Sequence, residues 1–397
     1  SIVFENAVSE TSWTRPAVAS LFTGVPPRAH GVNGRQDALP DEAVTLAEML
    51  SALGYQTAGF TTNGNVAPLF GFGQGFGTYE LLPGSLKAGL RAGLDEQGDG
   101  PPSSSMVSRL SAWFADRRAT APLFLYVHTV DPHSPYYPAP EWKARFAADV
   151  PDAAIGSLAN LRRLLEDRSA ATPSELRGML ALYDAEVAEA DEGFGQFLGE
   201  LKRRRLYDGA AILLVADHGE EFWDHGSWQH GHTLYGELVR VPFVLKLPAG
   251  RQAGLRVRGA VQLADVLPTV LDLLGETVPK TVTGRSLLGR LNPATPAWAG
   301  TAYSFLDLDS RRAETAQADG FKLVRRPTED GPARALFDVV HDPRERSDLL
   351  AQQPIRAGYL ERLLDAAAAR ERPLWSRREA GSSPETEENL RALGYVR

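Results

Sequence analysis

The sequence predicts a wound α/β fold, on three observations. Short aliphatic or β-branched runs, Phe124-Leu125-Tyr126-Val127, Ala211-Ile212-Leu213-Leu214-Val215 and Val241-Pro242-Phe243-Val244-Leu245, are separated by stretches of helical periodicity. Two of these runs lead directly into Asp/His clusters, and open α/β sheets gather functional residues at the carboxyl ends of their strands. Beyond about Leu291 the alternation gives way to Pro293, Pro296 and short strand-like pieces, which predicts a small C-terminal α+β unit.

Taken in order, Ser12-Trp13-Thr14-Arg15-Pro16 and the apolar stretch 17–22 predict a helix with Pro16 in its first turn and Thr14 just ahead of it. A hydroxyl in that place faces free backbone N–H groups and the positive end of the helix dipole, which favour an anionic ester. It is equally the place of a simple N-cap. The glycine- and phenylalanine-rich residues 71–77 and the Gly/Pro/Ser-rich residues 95–105 read as surface loops. Helical spacing covers 106–117, and again 174–205, where Leu176, Leu180, Tyr183, Val187, Ala190, Phe194 and Leu198 recur on one face. Residues 265–274 read as a short buried helix. Lys322-Leu323-Val324 and Leu336-Phe337-Asp338 supply strands for the C-terminal unit. There are no internal repeats.

Composition removes several function classes. The 397 residues carry 42 Lys+Arg against 50 Asp+Glu, a formal net charge of -8, and no basic stripe, which argues against a nucleic-acid partner. With no cysteine, disulfides, thiolate metal sites and cysteine nucleophiles are excluded. The longest apolar runs fall well short of the roughly 18 residues that span a bilayer, so no membrane span is expected in this segment. The opening Ser1-Ile2-Val3-Phe4-Glu5 has neither the basic start nor the apolar stretch of a leader, and no initiator Met, so a longer gene product is expected.

Six of the eight histidines, His128, His133, His218, His225, His230 and His232, fall between Tyr126 and Tyr235. Strand 211–215 runs into Ala216-Asp217-His218-Gly219-Glu220, and strand 124–127 into His128-Thr129-Val130-Asp131-Pro132-His133. Oxygen and nitrogen donors at two strand ends are raw material for a metal or an acid–base site. His225, in Asp224-His225-Gly226, and His341, in Val340-His341-Asp342-Pro343, read as turn residues.

These pieces together resemble the sulfatase branch of the alkaline phosphatase superfamily over nearly the whole chain. Thr14, with Pro16 two residues on and Thr23-Gly24 nine residues on, stands where that family places its Cys/Ser nucleophile. Pro27-Arg28-Ala29-His30-Gly31-Val32, Asp131-Pro132-His133-Ser134-Pro135-Tyr136, Asp217-His218-Gly219-Glu220 and His230-Gly231-His232-Thr233-Leu234-Tyr235 also look familial. So do Arg240-Val241-Pro242, Asp265-Val266-Leu267-Pro268-Thr269, Thr283-Gly284-Arg285-Ser286-Leu287 and Leu393-Gly394-Tyr395-Val396. The resemblance implies a central mixed, mostly parallel sheet flanked by helices, spanning 1–290, with a small α+β subdomain over 291–397.

It also implies a divalent ion, calcium, magnesium or manganese, with zinc admitted by the histidines, held by Asp217, His218 and Thr14. His133 and His230 would bind the non-bridging oxygens or protonate the leaving group. Arg15, Asn63, His128 and His232 fall to the substrate side, with Thr62 a weaker neighbour. Three departures shape the expected chemistry. The family's opening strand, with its metal-binding aspartates, is not found ahead of Ser1. Threonine is not a residue that the family converts to formylglycine. Val18 replaces the arginine four residues after the nucleophile. A threonine ester is released more readily as phosphate than as sulfate, so phosphate esters and phosphonates are the expected small-molecule substrates. A true sulfuric ester hydrolase, a phosphoglycerol- or phosphoethanolamine-type transferase and a non-catalytic binding protein are the alternatives. Placement outside the cytoplasm is a family tendency, and the oligomeric state is left open.

Overall fold

The computed structural model describes residues 1–82, 102–117, 121–150, 153–167, 171–292, 300–381 and 383–392. They form two compact units. The first comprises residues 1–46, 209–224 and 230–380, and the second 47–208, 225–229 and the described part of 381–397.

In the first unit the apolar run around 241–246 is split by Pro242, which has no N–H to give to a ladder. Arg240–Val241 pairs antiparallel with Ala7–Val8, while Phe243–Lys246 lies between Ile2–Phe4 and Ile212–Val215, antiparallel to both. Arg256–Val257 and Val261–Gln262 add parallel partners to Ile2–Phe4 and Ala7–Val8. These are two sheets, and each is mixed. The helix Thr14–Thr23 follows and ends at Gly24, whose φ of 69° is the left-handed conformation that glycine adopts without a Cβ penalty. It packs on the helix Val266–Leu274. Trp13, Val8, Leu234, Leu238, Val239, Leu306 and Leu308 form one apolar cluster beneath it.

Thr301–Leu308, Arg311–Ala318, Phe321–Arg326 and Ala333–Asp338 form an antiparallel meander. Alternate residues of the first strand are buried, as period-2 patterning requires. The helix Pro354–Arg370 covers one face through Ala357, Leu360 and Leu364, packed on Ala316, Leu323 and Leu336. Lys322 and Glu345 are buried as an ion pair, with Nζ 2.8 and 3.1 Å from the two carboxylate oxygens.

The second unit holds a wholly parallel sheet, Thr78–Leu81, Gln56–Thr61 and Leu123–His128 in that order. Gly59 lets the Tyr79 ring cross the sheet, since a Cβ there would lie 2.4 Å from that ring. The helix Pro102–Asp116 packs on Pro173–Arg203, which opens with a reciprocal cap. The Thr172 hydroxyl accepts from Glu175 N–H, and the Glu175 carboxylate accepts from Thr172 N–H at 2.8 Å.

The segment 71–77, expected as a surface loop, is partly turned inward. Phe72 is fully buried and Phe76 stacks on Phe124 at 5.7 Å, because apolar rings outweigh the local turn signals. Of the other expected loop, 95–101 lies outside the described residues and 102–105 begins a helix. Pro293, Pro296 and the motif Leu393-Gly394-Tyr395-Val396 also lie outside the described residues. Among the described residues no helix is long and apolar enough to cross a membrane.

Candidate active site

The loop after Ala7–Val8 delivers Thr14 to the first unit's cluster. Contrary to the expected capping position, Thr14 is the first helical residue and Trp13 is the N-cap, with no side-chain cap bond; Pro16 falls at the third helical position. Trp13 is extended, at φ -155° and ψ 159°, and the helix begins at the next residue, two before the proline. Thr14 is 1% exposed, and its Oγ1 is 3.2 Å from His218 Nε2.

His218 follows the strand Ile212–Val215. Its Nδ1 is 2.8 Å from the Gly219 carbonyl, which can only accept, so Nδ1 carries the proton and Nε2 presents its lone pair. The Thr14 hydroxyl therefore donates to Nε2. Burial holds the His218 imidazole below its ordinary pKa, against the opposing pull of Asp217, and keeps it neutral. Asp217 Oδ1 accepts from His218 N–H at 3.1 Å, and Oδ2 is 3.5 Å from Nε2. Gly219 fits its place sterically: a Cβ there would meet the Glu237 carbonyl at 2.0 Å, and its N–H donates to Leu238 O at 2.8 Å.

The His230 ring lies against that of His218, tilted by 36° with centroids 4.2 Å apart, and its Nδ1 is 3.0 Å from Glu220 Oε1. Gly231, at φ 72°, donates its N–H to Ser12 O at 2.8 Å, tying this segment to the loop that carries Thr14. Thr14, Asp217, His218 and His230 are thus brought together in one unit.

Two expected substrate contacts have partners inside the fold. Arg15 is 1% exposed and its Nη1 donates to the carbonyls of Gly34, Arg35 and Asp37, so it anchors the 34–37 backbone. His232 Nε2 is 2.7 Å from the fully buried Glu221 carboxylate.

Asn63, His128 and His133 belong to the second unit. Asn63 Nδ2 lies 3.4 Å from His128 Nε2, and the Tyr126 hydroxyl 2.8 Å from His128 Nδ1. His133 Nδ1 donates to the Ser134 carbonyl, which leaves the lone pair on Nε2. The Thr62 hydroxyl accepts from Val130 N–H at 2.9 Å, a strut within the sheet end. His341 is a turn residue, as expected, with Asp338 at 2.9 Å.

Sequence reasoning missed His30 and Glu10. His30 Nδ1 accepts from Val32 N–H, and Nε2 lies 3.2 Å from Pro16 O and 3.1 Å from Ser20 Oγ, which braces the Thr14 helix. Burial pushes its pKa down to about 3. Glu10, four residues before Thr14, is 2% exposed; Oε1 accepts from Ala264 N–H, Oε2 has no partner among the described residues, and burial raises its pKa to about 8. It stands in the polar run Ser9-Glu10-Thr11-Ser12, which gave no signal to single it out.

The donor set fits a divalent ion in part. Asp217 Oδ2, His218 Nε2 and Thr14 Oγ1 lie 3.2–3.5 Å apart in sequence Oγ1–Nε2–Oδ2, a spacing that donors sharing one ion adopt. The Nδ1–H of His218 on a carbonyl is the outer bond that metal-binding histidines make. Among the described residues no group of three His, Cys, Asp or Glu is placed to hold an ion.

Fold and cluster together define the class: a sulfatase-like ester hydrolase of α/β architecture. The profile of the Sulfatase family matches residues 1–276, and that of the N-sulphoglucosamine sulphohydrolase C-terminal region matches 224–366; the chain belongs to the sulfatase family. The chain is 26% identical over 392 residues to an ulvan-active sulfatase of Formosa agariphila, covering 92% of this chain and 73% of that protein. It is 25% identical over 281 residues to an arylsulfatase of Clostridium perfringens, covering 66% of this chain but 57% of the relative. Among solved structures, a protein bound to its substrate D-glucosamine-2-N,6-O-disulfate superposes with TM-score 0.75 at 19% identity, covering 93% of this chain and 90% of that one. A phosphonate monoester hydrolase of Agrobacterium radiobacter gives TM-score 0.74 at 22% identity, covering 93% and 88%.

Proposed function

We propose that this chain cleaves phosphate or phosphonate esters with Thr14 as nucleophile. The observation that carries the reading is the buried Thr14 hydroxyl donating to a neutral, tautomer-fixed His218 at 3.2 Å. Thr14 Oγ1 attacks phosphorus in line; the Oγ1–P bond forms as the bond to the leaving oxygen breaks. His218 Nε2 is the ring acceptor that faces the hydroxyl proton. His230 is the residue assigned to the non-bridging oxygens and to protonating the departing alcohol. Water then attacks the phosphothreonine and restores the hydroxyl. A calcium, magnesium, manganese or zinc ion held by Asp217, His218 and Thr14 would take the Nε2 lone pair in place of that proton, which the acidified hydroxyl would give up to water, and would polarise the ester.

Phosphorus is favoured because a threonine sulfate lacks the elimination route that a formylglycine hydrate offers. The structural likeness to a phosphonate monoester hydrolase is compatible with that choice. Sulfate esters are the second reading, favoured by the sulfatases among the relatives. The test compares an aryl sulfate, an aryl phosphate and a bis-aryl phosphate on metal-loaded protein, with and without Thr14→Ala. Phosphoester turnover that falls about 10³-fold or more in the variant supports the proposal. Sulfate turnover alone, with Thr14 unmodified, overturns it.

A further inference from the structure

The pair Glu220-Glu221 faces the pair His230 and His232, and each glutamate takes one histidine. Glu220 Oε1 meets His230 Nδ1 at 3.0 Å, with both side chains 6% exposed; Glu221 Oε2 meets His232 Nε2 at 2.7 Å. The two histidines are thus held by opposite ring nitrogens. A carboxylate only accepts, so it fixes a proton on the nitrogen it faces. His230 therefore carries a proton on Nδ1 and turns Nε2 away from the carboxylate, and His232 carries one on Nε2.

The two rings also differ in surroundings. The His230 ring packs, tilted, on His218, which receives the Thr14 hydroxyl, while Gly231 N–H is bonded to Ser12 O in the loop before Thr14. A Cβ on Gly231 would lie 3.1 Å from Leu308 and 3.6 Å from Trp13, so the backbone here is seated against the start of the Thr14 helix. The orientation of His230 is therefore referenced to Thr14 at two points, through a ring contact and through a backbone bond.

We infer that Glu220 is a positioning residue for the reaction at Thr14: it sets the tautomer and ring orientation of His230, while Glu221 serves the fold. The inference rests on the proposed role of His230 but reads out separately from it. Partners that orient a functional histidine typically cost 10–100-fold when removed. A glutamine at 220 keeps the shape yet offers an amide that can also donate, so the proton on Nδ1 loses its obligatory acceptor.

The experiment is ¹⁵N ring spectroscopy of the histidines, with His230 assigned by His230→Asn, alongside kinetics of Glu220→Gln and Glu221→Gln on the three aryl esters. The expected result is an Nδ1–H signature for His230 in the parent protein that is lost in Glu220→Gln and retained in Glu221→Gln. Glu220→Gln should lower kcat by about 10–100-fold with KM changed less than about threefold. An Nε2–H signature in the parent, or a Glu220→Gln variant with unchanged tautomer and kcat, overturns the inference. If none of the esters is turned over while the Nδ1–H signature follows Glu220, the proposed function fails and the positioning of His230 stands.

Discussion

Two buried titratable residues set opposing demands on pH. His30 has a folded pKa near 3 against an ordinary 6.5, so the unfolded chain binds more protons and stability is lost as pH falls below 6.5. Glu10 has a folded pKa near 8 against 4.5, so the folded chain holds the extra proton and stability is lost as pH rises from 4.5 through 8. Between about 4.5 and 6.5 the two slopes cancel. Above 6.5 Glu10 acts alone, at about 1.4 kcal/mol per pH unit. Urea midpoints measured from pH 4 to 9 should therefore show a plateau followed by an alkaline decline, and Glu10→Gln should flatten that decline. A decline of equal slope in the variant would assign it to other groups. Asp265, also raised by burial, faces Glu10 and opposes its ionisation further.

Within elements, the glycines divide by what surrounds them. Gly219 stands against the Glu237 carbonyl, so Gly219→Ala must push the Asp217–Glu220 turn off its neighbour and move His218 relative to Thr14. It should cost about 1–3 kcal/mol and most of the activity. Gly195, inside the helix Pro173–Arg203, has nothing within 4 Å of a Cβ, and Gly195→Ala should stabilise by about 0.5–1 kcal/mol with activity unchanged. Thermal melts and turnover of the two variants check both. The sequence made much of this scale readable: the runs at 123–128, 212–215 and 266–274 and the long helix were visible as periodicity. What it did not reveal turned on single residues with distant consequences. Pro242 divides one apolar run between two sheets, and Trp13 rather than Thr14 caps the first helix. Arg15, His30 and His232 chose partners 10 to 22 residues away, which local spacing does not encode.

For the whole molecule, the Asp217–His218–Thr14 donors connect stability to ions. Calcium, magnesium, manganese or zinc that binds only the folded state raises the melting temperature with concentration. Asp217→Asn should abolish that rise for whichever ion is effective, while Glu371→Gln, remote from these donors, should preserve it. An ion-induced rise that survives Asp217→Asn places the ion elsewhere. The grouping of Thr14, Asp217, His218 and His230 was legible because the motifs carry it in chain order; the separation of Asn63, His128 and His133 into a second unit was not, because unit boundaries follow packing that cuts across the sequence.

The glutamate pair has one more consequence. Glu220 and Glu221 are neighbours, and Gly231, left-handed at φ 72°, separates the two histidines by one residue. The arrangement works as a parity check on the threading of 219–232. A single inserted or deleted residue there would hand each ring to the wrong carboxylate, or to none, and exchange the two protonation patterns at once. Insertions in this stretch should therefore be tolerated far less than its glycines and turns suggest, and least of all when they are one residue long.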